Sequence, residues 1–272
     1  WPVLREGRGE VLIENTGVYV RLAEGRMLDS RVHDAFAEIP YGEGDTPPRL
    51  AIRGEADGTL FAGLTILKVA PIGTREIFAG WTAEGPLNGT LNLDIPLDGG
   101  GKPRVVVDIS TSSAKLWIPQ ANLSLDQAGG SFRYDTQSGF SAKDIQARAL
   151  GQTVRGKAAA IGRPDHPATR IEAYGGVTLK ALFAWLGMER SVPAAGELPY
   201  QLRLDIGGKA SQLQIDSSLL GVALELPAPF GKRAELRRDT SLRMRLDDGP
   251  RRYSVKHGDL AALNLQVPDG DW

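Results

Sequence analysis

The sequence predicts a mainly β fold, and three observations carry that prediction. Apolar residues alternate with polar ones through most of the chain, the period of a strand with one apolar face. Glycine (33) and proline (17) separate the alternating runs, as turns joining many short elements require. Only two segments switch to helical spacing. At 272 residues the chain has room for one large all-β domain or two smaller ones.

Residues 1–58 hold the first strand patterns, among them "GVYVRL" (17–22) and "RLAIRG" (49–54). "GTLFAGLTILKVAPIG" (58–73) then places Leu60, Phe61, Leu64 and Leu67 on one helical stripe. Thr59 is a candidate N-cap, and Pro71 and Gly73 follow the end. In "PLNGTLNLDIPL" (86–97), Leu87, Leu91, Leu93, Ile95 and Leu97 share one parity and Asn88, Thr90, Asn92 and Asp94 the other. Asn88-Gly89 is also a hairpin signal, but the apolar parity continues through it. One strand is therefore expected there, roughly 36 Å long at ~3.3 Å per residue, with Gly89 marking a bulge or a close approach.

The alternation returns in "RVVVDIS" (104–110), "AKLWIP" (114–119) and "NLSLD" (122–126). "VTLKALFAWLG" (177–187) is the second helix, with Leu179, Leu182, Phe183 and Leu186 on its stripe, Thr178 as N-cap and Gly187 as the C-terminal glycine. Beyond it come "LPYQLRLDI" (198–206), "QLQID" (212–216), "VALEL" (222–226), "SLRMRL" (241–246) and "LNLQV" (263–267). Polar, glycine-bearing connections make antiparallel pairing the expectation.

The two helices mark a repeat. After the first comes "EGPLNGTLNLDI" and after the second "GELPYQLRLDI"; further on, "DISTSSAKLWIP" (108–119) matches "DSSLLGVALELP" (216–227). The expected unit is a helix followed by about five strands. Its boundaries divide the chain into 1–58, strands of a preceding or partial unit, then 59–177 and 178–272, in one continuous domain. A chain beginning at Trp1 reads as a piece of a longer protein.

Composition narrows the function. A net charge of −1 gives no basic field for nucleic acid or an anionic membrane surface. The absence of cysteine excludes disulfides, thiolate catalysis and cysteine-bound metals, and fits cytoplasm and periplasm equally. No apolar run approaches the ~18 residues of a membrane span. Among the histidines His33, His166 and His257, no pair has the spacing of a zinc site. "GFSAK" (139–143) lacks the second glycine of a nucleophile elbow, and "GRGEVL" (7–12) and "GEGDTP" (42–47) do not complete a phosphate-binding fingerprint. No catalytic residue, metal or cofactor is expected. Asp94, Asp108, Asp205 and Asp216 recur at matching places in the repeat, which argues for a structural role over a glycosidase pair. Trp117 is out of phase with Leu116 and Ile118, and packing is favoured for it and for Trp185 over a binding platform.

The apolar parity itself remains. It serves either a closed core, a sandwich or barrel that scaffolds or binds other proteins, or an open curved sheet whose apolar face lines a groove for a ligand. Periodicity does not separate the two, and a glycan-active enzyme is the third alternative.

"PIGTREIFAGWTAEGPLNGTLNLDIPL", "PRVVVDISTSSAKLWIP", "FRYDTQSGFSAKDIQARALGQTVRGKA", "LKALFAWLG" and "LQIDSSLLGVALELPAPFGKRA" together resemble the AsmA-like bacterial envelope proteins of the YhdP branch, over about residues 59–246. The resemblance implies a repeating β-groove: an elongated, twisted, mostly antiparallel sheet curled into an apolar trough. It further implies an inner-membrane anchor outside this segment, a periplasmic location, and phospholipid acyl chains as the partner, carried between inner and outer membrane. It implies no catalytic residues. The residues then expected to line the groove are Leu91, Leu93, Ile95, Val105, Val107, Ile109, Leu116, Ile118, Leu202, Leu204, Ile206, Leu213, Ile215, Val222, Leu224, Leu226, Leu242 and Met244.

Overall fold

The structure, a computed structural model, describes residues 3–42, 47–69, 79–98, 100–119, 122–161, 168–187, 193–207, 211–246 and 251–267. His166, Pro71, Gly73 and most of the 42–47 loop lie outside these residues, as do the side chains of Leu67 and Val267. The expectation of a mainly β, antiparallel chain with two short helices holds. The elements are β1 (Leu4–Glu14), β2 (Gly17–Met27), β3 (Ser30–Pro40), β4 (Arg49–Thr59), α1 (Leu60–Val69), β5 (Thr82–Glu84), β6 (Pro86–Pro96), β7 (Arg104–Ile118), β8 (Leu123–Asp135) and β9 (Gly139–Ala149). They continue as β10 (Gln152–Ala160), β11 (Ala168–Thr178), α2 (Leu179–Trp185), β12 (Ala194–Gly207), β13 (Gln212–Ser217), β14 (Val222–Leu224), β15 (Thr240–Arg245), β16 (Arg251–His257) and β17 (Ala261–Val267). No described helix is long and apolar enough to cross a membrane.

The chain divides into two units, Trp1–Ala142 and Lys143–Trp272. In the first, β1 to β4 form an antiparallel meander, β4 pairs with β6, β6 with β7, and β7 with β8. The short β5 pairs with the far end of β7. In the second, β10 to β13 follow one another, β13 pairs with β15, and β16 and β17 complete the ladder. β14 pairs with the start of β12. Two turns and bulges illustrate how this is done. Leu150 (φ 50°) and Gly151 (φ 82°) both take left-handed backbone in the two-residue turn from β9 to β10, as the twist of a tight hairpin demands. Asp34 (φ 48°) forms a bulge that shifts the β3–β4 register between His33 and Phe36.

The repeat has a structural form in which each helix joins two neighbouring antiparallel strands. β4 ends at Thr59, α1 follows, and β6 returns beside β4 with Thr59 opposite Pro86. β11 ends at Thr178, α2 follows, and β12 returns with Thr178 opposite Glu197. Both predicted caps are present: Thr59 Oγ1 accepts from the Ala62 N–H at 3.2 Å and Thr178 Oγ1 from Ala181 N–H at 3.3 Å. Gly187 takes φ 65° after α2. β6 runs straight through Asn88-Gly89, and a Cβ at Gly89 would stand 3.2 Å from the Asp108 carbonyl oxygen, a close approach and no turn.

Other expectations are corrected. Seven named strands follow α1 and six follow α2, where about five were expected. Gly85 (φ 118°) splits β5 from β6, and β9 to β11 carry small residues on their apolar parity. Trp117 is 37% exposed because its cross-strand neighbours, Thr82 and Ser124, are too small to cover it. Trp185 is half-buried at the end of α2. β7 is one 15-residue strand, whereas the matching stretch in the second unit breaks between β13 and β14, with Leu219 at φ 51° and Gly221 at φ 88°.

The strand expected over 222–226 stops at Leu224, because the chain turns at Pro227 and doubles back. Leu224 and Lys232 exchange both backbone hydrogen bonds, at 2.8 and 3.0 Å. Lys232 is only 6% exposed, and its Nζ donates to the carbonyls of Val222 (2.7 Å), Arg233 (2.9 Å) and Leu236 (2.6 Å). Burial, followed by the charge of Arg238, pushes its pKa below the usual lysine value. Three donors on one ammonium thus meet three backbone carbonyls, of Val222 in β14 and of Arg233 and Leu236 in the returning loop. Lys232→Met is expected to cost about 2–4 kcal/mol in urea unfolding, since it leaves those acceptors unmet, whereas exposed Lys115→Met stays within about 0.5 kcal/mol.

Candidate functional site: the open aliphatic face

Antiparallel register decides which side chains meet. In the first unit Val11 lies opposite Val20, Val20 opposite Ala37, Ala37 opposite Ile52, Ile52 opposite Leu93 and Leu93 opposite Val105. A parallel row joins Gly54, Leu91, Val107 and Tyr134, and a third joins Gly89, Ile109 and Phe132. Phe132 stacks on Phe140 with ring centroids 6.3 Å apart. Leu50 and Ile95 pair at the other end. One face of the sheet is thus aliphatic across six successive paired strands.

The second unit repeats the device over seven strands. One row runs Ala158, Ile171, Leu204, Leu213, Met244, Tyr253, Leu265. Its neighbour runs Gly156, Ala173, Leu202, Ile215, Leu242, Val255, Leu263. At ~4.8 Å per strand, each row extends about 29 Å. Ile206 continues this parity on β12 and is exposed.

Helices cover only one end of each face. Gly63 of α1 sits against Leu87, which shares the parity of Leu91, Leu93 and Ile95, and Ala62, Leu64, Ala83 and Ala114 are buried in this region. Leu179 of α2 buries with Leu219 and Val222, joined by Leu182, Phe183, Leu198 and Leu224. Away from the helices the aliphatic residues stay half-exposed. Val11 (65%) and Leu263 (57%) are more open than a sandwich core would leave them, and among the described residues Val222, at 1%, is the largest side chain that is fully enclosed.

The expected groove residues therefore fall into groups. Leu91, Leu93, Val105, Val107 and Ile109, with Ile95, share the open face of the first unit; Leu202, Leu204, Leu213, Ile215, Leu242 and Met244 share that of the second. Leu116, opposite Ala83 and Leu125, and Ile118, opposite Leu123, lie beyond a register shift at the far end of β7 and belong to no row. Val222 and Leu224 pack beneath α2, and Leu226 stands in the loop at 38% exposure. Sequence reading missed the contributions of Val11, Val20, Ile52, Ile171, Tyr253 and Val255. The alternations in "GVYVRL" and "RLAIRG" were the signals for Val20 and Ile52.

The opposite face is polar and ion-paired. Asp94 accepts from Arg49 Nε (2.7 Å), Arg133 Nη1 reaches Asp108 (3.0 Å), and Arg170 forks onto Asp205 (2.7 and 2.8 Å). Three of the four recurrent aspartates thus clamp neighbouring strands, and the fourth, Asp216, accepts from Gln214 (2.6 Å). The Arg170 hydrogen bonds, more than its charge alone, hold Asp205 below the usual carboxylate pKa. His33 Nδ1 and Nε2 lie 2.9 and 3.1 Å from Asp34 and Asp57, and the hydrogen bond to Asp34, chief among these contacts, raises its pKa.

A family model described as YhdP protein matches residues 1–271. The chain belongs to the YhdP family. This places it among the AsmA-like proteins of the bacterial envelope. No curated protein and no solved structure matched the chain. Within this YhdP-family chain, the open aliphatic face is the candidate site, made of register and side-chain size; its rows hold no acidic or basic side chain, and Tyr134 and Tyr253 are their only phenols.

Two outcomes are expected from it. Leu204→Asp retains the fold, because a half-exposed carboxylate stays hydrated, whereas Val222→Asp costs several kcal/mol and unfolds the α2 region, as thermal melting and far-UV circular dichroism will show. Asp205, with its folded-state pKa depressed, contributes stability that is complete above its unfolded value near ~3.9 and is lost as pH falls through the folded value. Urea titrations from pH 7 to pH 3 should therefore show a steeper acid loss for wild type than for Asp205→Asn.

Proposed function

We propose that this segment shields phospholipid acyl chains on its aliphatic face and conducts them between inner and outer membrane, as a periplasmic part of a longer, membrane-anchored protein. The observation that carries the reading is the pair of seven-membered rows, aligned across β10 to β17 and half-exposed. Each CH₂ removed from water is worth ~0.8 kcal/mol, so a 16-carbon chain gains about 13 kcal/mol on such a wall. A bilayer core of ~30 Å holds two tails end to end, so each needs about 15 Å, half of one row. Aliphatic contact is non-directional, so a chain can move along the row from strand to strand without breaking a fixed polar bond. Ion pairs on the reverse face hold adjacent strands without placing charge in the path.

The test is site-specific photocrosslinking in cells. A photoreactive residue at Leu93 or Leu204 should capture phospholipid, and one at Asn92 or Arg203, the adjacent positions on the polar face, should not. Equal capture from both faces, or capture from the polar face alone, overturns the proposal.

A further inference from the structure

The polar face changes character at the end of the second unit. On β10 to β12 Lys157 and Arg203 both reach Glu172, at 3.1 and 3.4 Å, and Arg170 holds Asp205. On this face β15 and β16 carry Arg243, Arg245, Arg252 and Lys256, and β15, β16 and β17 contain no aspartate or glutamate. Register puts Arg243 opposite Ser254 and Ser254 opposite Asn264, with Arg252 opposite Gln266 one row away and Lys256 opposite Ser241 on the other side. Arg243, Arg252 and Lys256 are exposed and, among the described residues, make no ion pair or hydrogen bond. Arg252 and Lys256 are each diagonal neighbours of Arg243 on one face, about 7–8 Å away, where like charges repel. A concavity of about 580 Å³ is lined by the polar Gln212, Arg243, Arg252, Ser254, Asn264 and Gln266, with Arg245 and with Met244, Tyr253 and Leu265 that alternate with them along the strands; Lys256 stands outside it.

We propose that this concavity on β15–β17 binds a phosphate-bearing anion. Two guanidiniums offer paired N–H donors of the spacing a phosphate accepts, and Ser254, Asn264 and Gln266 add neutral donors beside them. Filling the site with negative charge removes the mutual repulsion of Arg243, Arg252 and Lys256. The charged and polar groups of the site alternate with the aliphatic rows along the same strands, and the experiment reads phosphate binding without reading acyl-chain capture. Phosphate chemistry is shared by a free anion and by a lipid headgroup presented at a membrane, and the experiment separates these sources.

The purified chain is titrated with inorganic phosphate, and separately with vesicles of phosphatidylglycerol or of phosphatidylcholine. Expected are a rise in melting temperature with millimolar phosphate in wild type, and loss of that rise, or at least a tenfold weaker apparent affinity, in Arg243→Gln/Arg252→Gln. Lys115→Gln, a change in exposed charge in the other unit, should behave as wild type. Added vesicle binding with phosphatidylglycerol but not phosphatidylcholine, lost in the double variant, assigns the headgroup source; response to phosphate alone assigns the free anion. The double variant should itself melt no lower than wild type without phosphate, since it relieves repulsion. No response of wild type to either probe, or an equal loss in Lys115→Gln, overturns the site.

Discussion

Everything on the aliphatic face depends on strand register. A strand turns every second side chain to the same side, so a row forms across strands only while each pair keeps its phase. A slip of one residue anywhere from β10 to β17 would turn arginines, glutamines and aspartates into the row and leucines out of it. The pairing of Leu204 with Leu213, and of Leu213 with Met244, fixes the phase from the apolar side. The Arg170–Asp205 fork fixes it from the polar side, because its two hydrogen bonds fit one alignment only. The two faces thus enforce the same arrangement with unlike chemistry.

The helices set where the row ends. Each begins on a threonine at the end of a strand and lays its apolar stripe over the same parity that continues uncovered further along. The buried leucines and Val222 gather there, with Val222 and Leu179 under α2 and Ala62 and Leu64 around α1. Away from the capped ends the buried residues are mostly small, such as Ala142, Ala147 and Ala158. Along the rest of the sheet, cohesion comes from backbone ladders, cross-strand aliphatic pairs and surface ion pairs, each modest alone and repeated many times.

Much of this was legible in the residues. Alternation in "PLNGTLNLDIPL" and "LPYQLRLDI" located β6 and most of β12, and Thr59, Thr178 and Gly187 located three of the four helix ends, because caps and parity are local properties. The strands β9 to β11 were harder to see: alanine and glycine at 147, 149, 156, 158 and 173 keep the period without the hydrophobic contrast that makes it visible. The fate of Val222 to Leu226 was not local at all. Whether a leucine on the apolar parity faces open space or a helix depends on where Lys232 draws the loop back, a contact that spacing alone does not encode. The cationic patch escaped notice for a related reason: a net charge of −1 averages over ion pairs that only the register reveals.

A single-layer sheet has no shared interior. Each strand answers to the one before and the one after, so cohesion in each unit accumulates by nearest neighbours, as in a chain of dominoes. A compact domain cannot gain a hairpin without rebuilding its core; a sheet of this kind gains one by adding two more partners to a ladder. Length becomes a freely variable trait, limited by how far the protein has to reach and not by how much surface a core can hide.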